Sequence, residues 1–213
     1  MNTDKLIESL AGEVRPIPAG RAAGRLGLCA GAALLTAGLV VWLTLGFRPD
    51  LAAMAGDPMF LMRQIYVLSI AGLASLLLLR LGQPGAPVRL PLVGLAVVAF
   101  GVVLAVLVEQ AGLSGPARGA AWLGHSWTTC TIRVVGVSLV AIPFVVFAAR
   151  RLAPQSPTRA GFVAGLVAGG VAASAYGFYC EEVTASFMAS WYTLGILISG
   201  AIGALTGRVL LRW

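Results

Sequence analysis

Six apolar stretches, each about as long as a bilayer is thick, occupy the chain from Leu26 to Leu211. A hydrocarbon layer about 30 Å thick takes roughly 20 helical residues to cross. Inside it no water satisfies the backbone, so only helices or a closed barrel can form. These runs are continuously apolar rather than alternating, which selects helices over barrel strands. The chain is therefore predicted to be all-α, with spans at about 26–46, 64–81, 91–108, 132–149, 160–178 and 191–211. Only 11% of its 213 residues are charged, against about 25% in a soluble domain. A polar segment, 1–24, precedes a membrane domain, 25–213. Segment 1–24 is mixed in charge and does not read as a cleavable leader.

The charges divide by side. An even number of spans leaves both termini on one face. That face carries Lys5, Arg15, Arg21, Arg25, Arg80, Arg89, Arg150, Arg151, Arg159, Arg208 and Arg212 against Asp4, Glu8 and Glu13. The other face carries Arg48, Arg63, Arg118 and Arg133 against Asp50, Asp57, Glu109, Glu181 and Glu182. Basic residues stay in the cytoplasm, so both termini are predicted to be cytoplasmic. The net charge of +7 is then a topology signal, and direct nucleic-acid binding is not expected. Arg63, Glu109 and Arg133 fall near predicted span ends, which leaves no ionisable group deep in a span for a transport path.

The fifth span carries Gly161, Gly165 and Gly169 at four-residue spacing. Such a stripe lets another helix approach closely, either within one bundle or across a homodimer. Gly203 and Gly207 give the sixth span a similar face. Pro143 removes a helical hydrogen bond from the fourth span and marks an expected kink. Trp122, Trp127, Trp191 and Tyr192 fit an interfacial aromatic belt.

Of the three cysteines, Cys29 reads as small apolar filler in the first span. Cys130 and Cys180 lie at similar distances from the cytoplasmic Arg150–Arg159 connection, one before it and one after it. At about 1.5 Å per helical residue both stand roughly 30 Å away, at one height on two consecutive helices. Facing thiols there would bridge or hold one soft metal ion. His125, Glu181 and Glu182 extend the candidate metal set, although there is no Cys-x-x-Cys spacing. No constitutive cofactor is implied; a transient heavy-metal ion is the one ligand this set suggests.

Within segment 1–24, Thr3 caps a short helix and Asp4 suits its N-terminal dipole. Leu6, Ile7 and Leu10 share a face, with Val14 a turn further on. A helix this short is marginal alone in water and orders when its apolar face docks on a partner or on lipid. Pro16 and Pro18 stop it.

These features together resemble the NrsF-like membrane anti-sigma factors of Gram-negative bacteria. The resemblance runs through Thr3-Asp-Lys-Leu-Ile-Glu-Ser-Leu-Ala11, the Cys130 region, Arg150-Arg-Leu-Ala-Pro-Gln-Ser-Pro157 and Ala160-Gly161. It continues in Tyr179-Cys180-Glu-Glu182 and from Trp191-Tyr192 to the ending Gly207-Arg208-Val-Leu-Leu-Arg-Trp213. It implies a six-span inner-membrane protein, not an enzyme, that holds an extracytoplasmic-function sigma factor inactive. It implies that Asp4, Leu6, Ile7 and Leu10 contact that partner, and that Cys130 and Cys180 sense heavy-metal or oxidative stress. Two other classes stay open on the residues alone. A membrane thiol oxidoreductase would use the cysteine pair catalytically but lacks a second redox pair, and a small metal transporter would need polar groups within the spans.

Overall fold

The protein is seen in a computed structural model. It describes Thr3, Ile7, Gly12 and residues 19–211 other than Phe47, Ala55 and Pro84, with the side chains of Ala19, Leu51 and Ala52 left aside. Of the expected partner-contact residues, Asp4, Leu6, Leu10 and Val14 lie outside the described residues. Ile7 has helical backbone and an exposed side chain.

All regular structure among the described residues is helical. The long helices are α1 (Ala19–Thr44), α3 (Pro58–Leu81), α4 (Arg89–Gly112), α6 (Trp127–Arg150), α7 (Pro157–Gly177) and α8 (Ala185–Leu210). Each lies in one of six helical stretches long and apolar enough to cross a bilayer. Two short helices lie in connections: α2 (Leu51–Met54) and α5 (Pro116–Leu123). The connection Glu109–Thr131, expected to be a loop, is thus largely helix.

Several helices start earlier than their hydropathy suggests, because polar caps fix their ends. The Asp57 carboxylate accepts hydrogen bonds from the amides of Met59 (2.8 Å) and Phe60 (3.0 Å), and Pro58 supplies the first helical residue. The second span therefore begins at 58 rather than 64, and Arg63 lies inside α3 instead of beside it. Ser156 and Pro157 start α7 in the same way. The sixth span begins at Ala185, six residues ahead of expectation, and includes a π-helical turn, Met188–Tyr192. Helix α6 runs in one stretch through Pro143.

Helix α7 is the centre of the bundle. Its small side chains let α1, α3, α6 and α8 all pack on it, and nearly all of its residues are buried. The glycine stripe faces α8, not the preceding helix α6. A Cβ on Gly161 would lie 2.8 Å from the Gly207 Cα, and one on Gly165 would lie 2.8 Å from the Gly200 Cα. Gly203 and Gly207 return the contact, so this face is filled within the chain. On the opposite side, a Cβ on Gly170 would stand 3.0 Å from the Ala71 Cβ of α3. In lipid, where apolar surface gains little by leaving the solvent, backbone approach of this kind holds helices together. Helix α4 packs chiefly on α3 and buries only Pro91 and Val106.

The core divides between the two ends of the bundle. From the end where α1 begins and α6 finishes, and along most of α1 and α7, it is Ala, Val and Leu with Ile142, drawn chiefly from α1, α3, α6 and α7. At the opposite end it holds Tyr66, Cys130, Tyr176, Cys180, Phe187, Met188 and Tyr192.

Candidate functional site

Cys130 lies in the first turn of α6, and Cys180 follows α7 in the irregular segment 178–184. Their side chains stand together in one buried cluster, where each acts on the ionisation of the other. Both are free thiols, 0% and 2% exposed. The hydrogen bond from Cys130 is the main influence holding the Cys180 thiol below its ordinary pKa, with burial acting against it and the Arg63 charge acting with it. Cys29 packs against the other core cluster, away from the pair.

Three side chains fix the segment that carries Cys180. Arg63, reaching over from α3, donates to the carbonyls of Gly177 (2.7 Å), Cys180 (3.2 Å) and Glu182 (2.9 Å). Gly177 leaves the room it needs, since a Cβ there would lie 2.9 Å from Gln64 Nε2 and 3.4 Å from Arg63 Nε. Arg48 reaches the Cys180 carbonyl from the exposed side (3.4 Å) while paired with Asp50 at 2.7 Å. Glu182 turns its carboxylate onto the start of α6, where the His125 and Ser126 amides and the Ser126 hydroxyl donate to it at 2.7, 2.9 and 3.0 Å. An acid at a helix N-terminus satisfies orphan amides and suits the dipole. One residue thus ties the Cys180 segment to the helix that carries Cys130. Glu109 does the same for α8, accepting from the amides of Ala185 and Ser186 at 2.8 Å.

These contacts leave the wider metal set dispersed in this structure. Glu182 caps a helix through Oε1, His125 meets it through the backbone, and Glu181 is exposed. Among the described residues no three His, Cys, Asp or Glu side chains gather where they could hold an ion. What remains for a soft ion is the thiol pair itself, two ligands side by side. The expectation for Tyr192 is corrected. It is fully buried against Tyr176, ring centroids 5.9 Å apart, and is no belt residue. Trp122 and Trp127 are exposed, as a belt requires.

A cavity of about 900 Å³ opens onto Cys180, with Arg48, His125, Arg133, Tyr176 and Glu181 in its wall. Arg133 lies over the Tyr179 ring, 5.2 Å from its centroid. Cys180 is thus buried from bulk solvent yet borders a space that small reagents can enter, with Cys130 behind it.

Comparison with known proteins supplies the family. The profile of NrsF, described as "Negative regulator of sigma F", matches residues 10–213. The chain belongs to the NrsF family. It is 39% identical over 220 residues to "Anti-sigma-F factor NrsF" of Caulobacter vibrioides, with all of both chains covered. It is 34% identical over 221 residues to "Probable anti-sigma-F factor NrsF" of Azospira oryzae, again over the full length of both. No solved structure matches. The resemblance carried by the motifs from Thr3 to Trp213 is therefore correct as to family.

In this NrsF-family chain Cys130 and Cys180 are neighbours in one buried cluster, and the groups around them were not legible as a set in the sequence. Hydropathy puts Arg63 and Glu109 near span ends and Tyr192 in an interfacial belt, and no motif singles out Tyr176. The Asp57-Pro58 helix-start signal was legible and would have brought Arg63 into α3.

Proposed function

We propose that this protein is a six-span anti-sigma factor of the bacterial inner membrane. Its cytoplasmic N-terminal segment holds an extracytoplasmic-function sigma factor through Asp4, Leu6, Ile7, Leu10 and Val14. Modification of the periplasmic Cys130/Cys180 pair by an oxidant or a soft heavy-metal ion releases that partner. The family and its full-length relatives, named as anti-sigma-F factors, support the regulatory role. The charge asymmetry supports the orientation: eleven basic residues against three acidic on the side of the termini, and four against five on the other.

One observation carries the signalling half. The thiols share one buried cluster at one end of α6, and further along α6 packs on α1, the helix that continues from the N-terminal segment. In the oxidative branch, the two thiols lose two electrons and two protons to the oxidant and form one S–S bond. A soft ion would instead displace the two protons and be held by both sulfurs. Either product changes the spacing between α6 and the Cys180 segment at the end of α7. Helix α1 rests on both α6 and α7, so a relative shift of those helices reaches the segment that precedes it. The glycine contact of α7 with α8 stays fixed as the frame against which α6 moves.

The test is a sigma-dependent reporter in cells exposed to cadmium or to a thiol oxidant. Cys130→Ser and Cys180→Ser should each abolish induction while leaving repression intact; unchanged induction would remove the sensing assignment. Leu6→Asp combined with Leu10→Asp should give constitutive transcription, and continued repression would reject that interface.

A further inference from the structure

Arg63 is a buried cation that the sensing account does not yet use. It is 4% exposed, and no carboxylate lies within ion-pair distance among the described residues, where Arg48–Asp50 is the one salt bridge. The rings of Phe60 and Tyr192 flank the guanidinium at 5.4 and 5.8 Å. Its Nε is buried and makes no hydrogen bond. A buried charge without a counter-ion costs several kcal/mol unless hydrogen bonds offset it. If filling space were the whole task, leucine or methionine would do it without that cost.

The destination of its donors is more specific. All three carbonyls it holds belong to residues 177–182, the stretch that carries Cys180. That stretch leaves α7 and has no ladder of its own. Its other ties are the amides of Phe178, Tyr179 and Cys180 on carbonyls of the last turn of α7, the Glu182 cap on α6, a bond from Arg133 to the Tyr179 hydroxyl, and the bonds from Arg48, whose side chain is shared with Asp50. A planar guanidinium with five donors can bridge several carbonyls at once; an ammonium is a single point.

We infer that Arg63 is the positioning residue of the thiol pair: by holding the carbonyls of Gly177, Cys180 and Glu182 it keeps Cys180 against Cys130 and so sets how readily the two oxidise to a disulfide. This rests on the proposal that the pair is the responsive site, but its test does not require signalling. In the reaction, the pair gives up two electrons and two protons to a disulfide reagent. One S–S bond forms in the protein, one breaks in the reagent, and the reagent leaves as thiols. Holding two thiols in place raises their effective concentration toward each other. Releasing Cys180 lowers it, and the equilibrium constant for oxidation falls in proportion.

The experiment uses the full chain in lipid nanodiscs, with Cys29→Ser so that the pair are the remaining thiols. The protein is equilibrated with oxidised and reduced dithiothreitol, and the oxidised fraction is read by thiol mass-tagging. Arg63→Gln should reduce the equilibrium constant by about tenfold or more, moving the reduction potential about 30 mV less negative for each factor of ten. Arg63→Lys should fall between it and wild type, since one ammonium cannot span three carbonyls. Thermal unfolding of each variant separates this effect from loss of fold. A wild-type potential in folded Arg63→Gln would overturn the proposal. If the glutamine variant does not fold, a wild-type potential in Arg63→Lys overturns it equally. The reporter assay fails independently: cysteine variants that still induce reject the sensing role whatever the potentials show.

Discussion

The two ends of the bundle are built on opposite plans. From the end where α1 begins, α1, α3, α6 and α7 meet through alanine, valine and leucine with one isoleucine, without a charge among the described core residues. At the other end the core contains two thiols, three tyrosines, a methionine and a phenylalanine. Arg63 reaches into it, and the hydroxyls of Tyr176 and Tyr192 are buried without a hydrogen bond of good geometry. The first end is what packing in lipid favours: small residues, close backbones, every polar group inside a helix. The second carries groups that packing alone would not select. Unsatisfied buried polar atoms and a lone cation mark a place where stability has been conceded, and such places gather at functional sites. The lesson is a division of labour along the same helices: α6 and α7 are frame at one end and reactive at the other.

The largest effect should follow from breaking the frame. Gly165→Leu would drive a side chain into the α8 backbone at Ser199 and Gly200, and should leave no folded protein in a membrane fraction. Gly165→Ala should lower stability by about 1–3 kcal/mol, the range for overpacking, read from SDS-induced unfolding. Next comes the reactive end. Glu182→Ala removes three hydrogen bonds to a charged acceptor and should cost about 1–3 kcal/mol in all. Hydrogen exchange should speed up at the amides of His125 and Ser126 and stay unchanged at Gly200; equal acceleration at both ends would erase the distinction between them.

A smaller effect concerns pH. The Cys180 thiol is held below its ordinary pKa chiefly by the Cys130 hydrogen bond, so its thiolate fraction, and its alkylation by iodoacetamide, should rise at a lower pH than for a free cysteine. Cys130→Ala removes the donor and should move that rise to higher pH; coincident profiles would contradict the contact. The smallest effect is expected at Arg48. Asp50, hydrogen-bonded by Arg48, is held below the usual carboxylate range. The pair therefore persists as pH falls through that range and is lost only below it. Because Asp50 is exposed, solvent screens the interaction, and Arg48→Ala should leave the unfolding midpoint at neutral pH unchanged.

How much of this was legible follows from what hydropathy measures. It counts apolar residues, so it located all six long helices and read their ends wrongly wherever a polar cap sets the boundary. Asp57 starts α3 ahead of Arg63, and α8 begins with Ala185 and Ser186. The glycine spacing revealed a close helix contact but not its partner, because spacing fixes a face and not what the face meets. The equal heights of Cys130 and Cys180 came from counting residues along helices. Their facing depends on the rotation of α6 and α7, and on Glu182 and Arg63, whose partners are more than fifty positions away in sequence. The metal set of His125, Glu181 and Glu182 was inferred from nearness in sequence, and in the structure Glu182 caps α6 through Oε1.

Release of the partner requires communication between the thiol end and the N-terminal segment. The direct measurement is co-purification of the sigma factor with the full chain in nanodiscs, before and after diamide treatment, for the wild type and for Cys180→Ser. Loss of the partner from the oxidised wild type, with full retention by Cys180→Ser, is the expected result. A partner that stays bound to the oxidised wild type, or leaves both proteins equally, would contradict it.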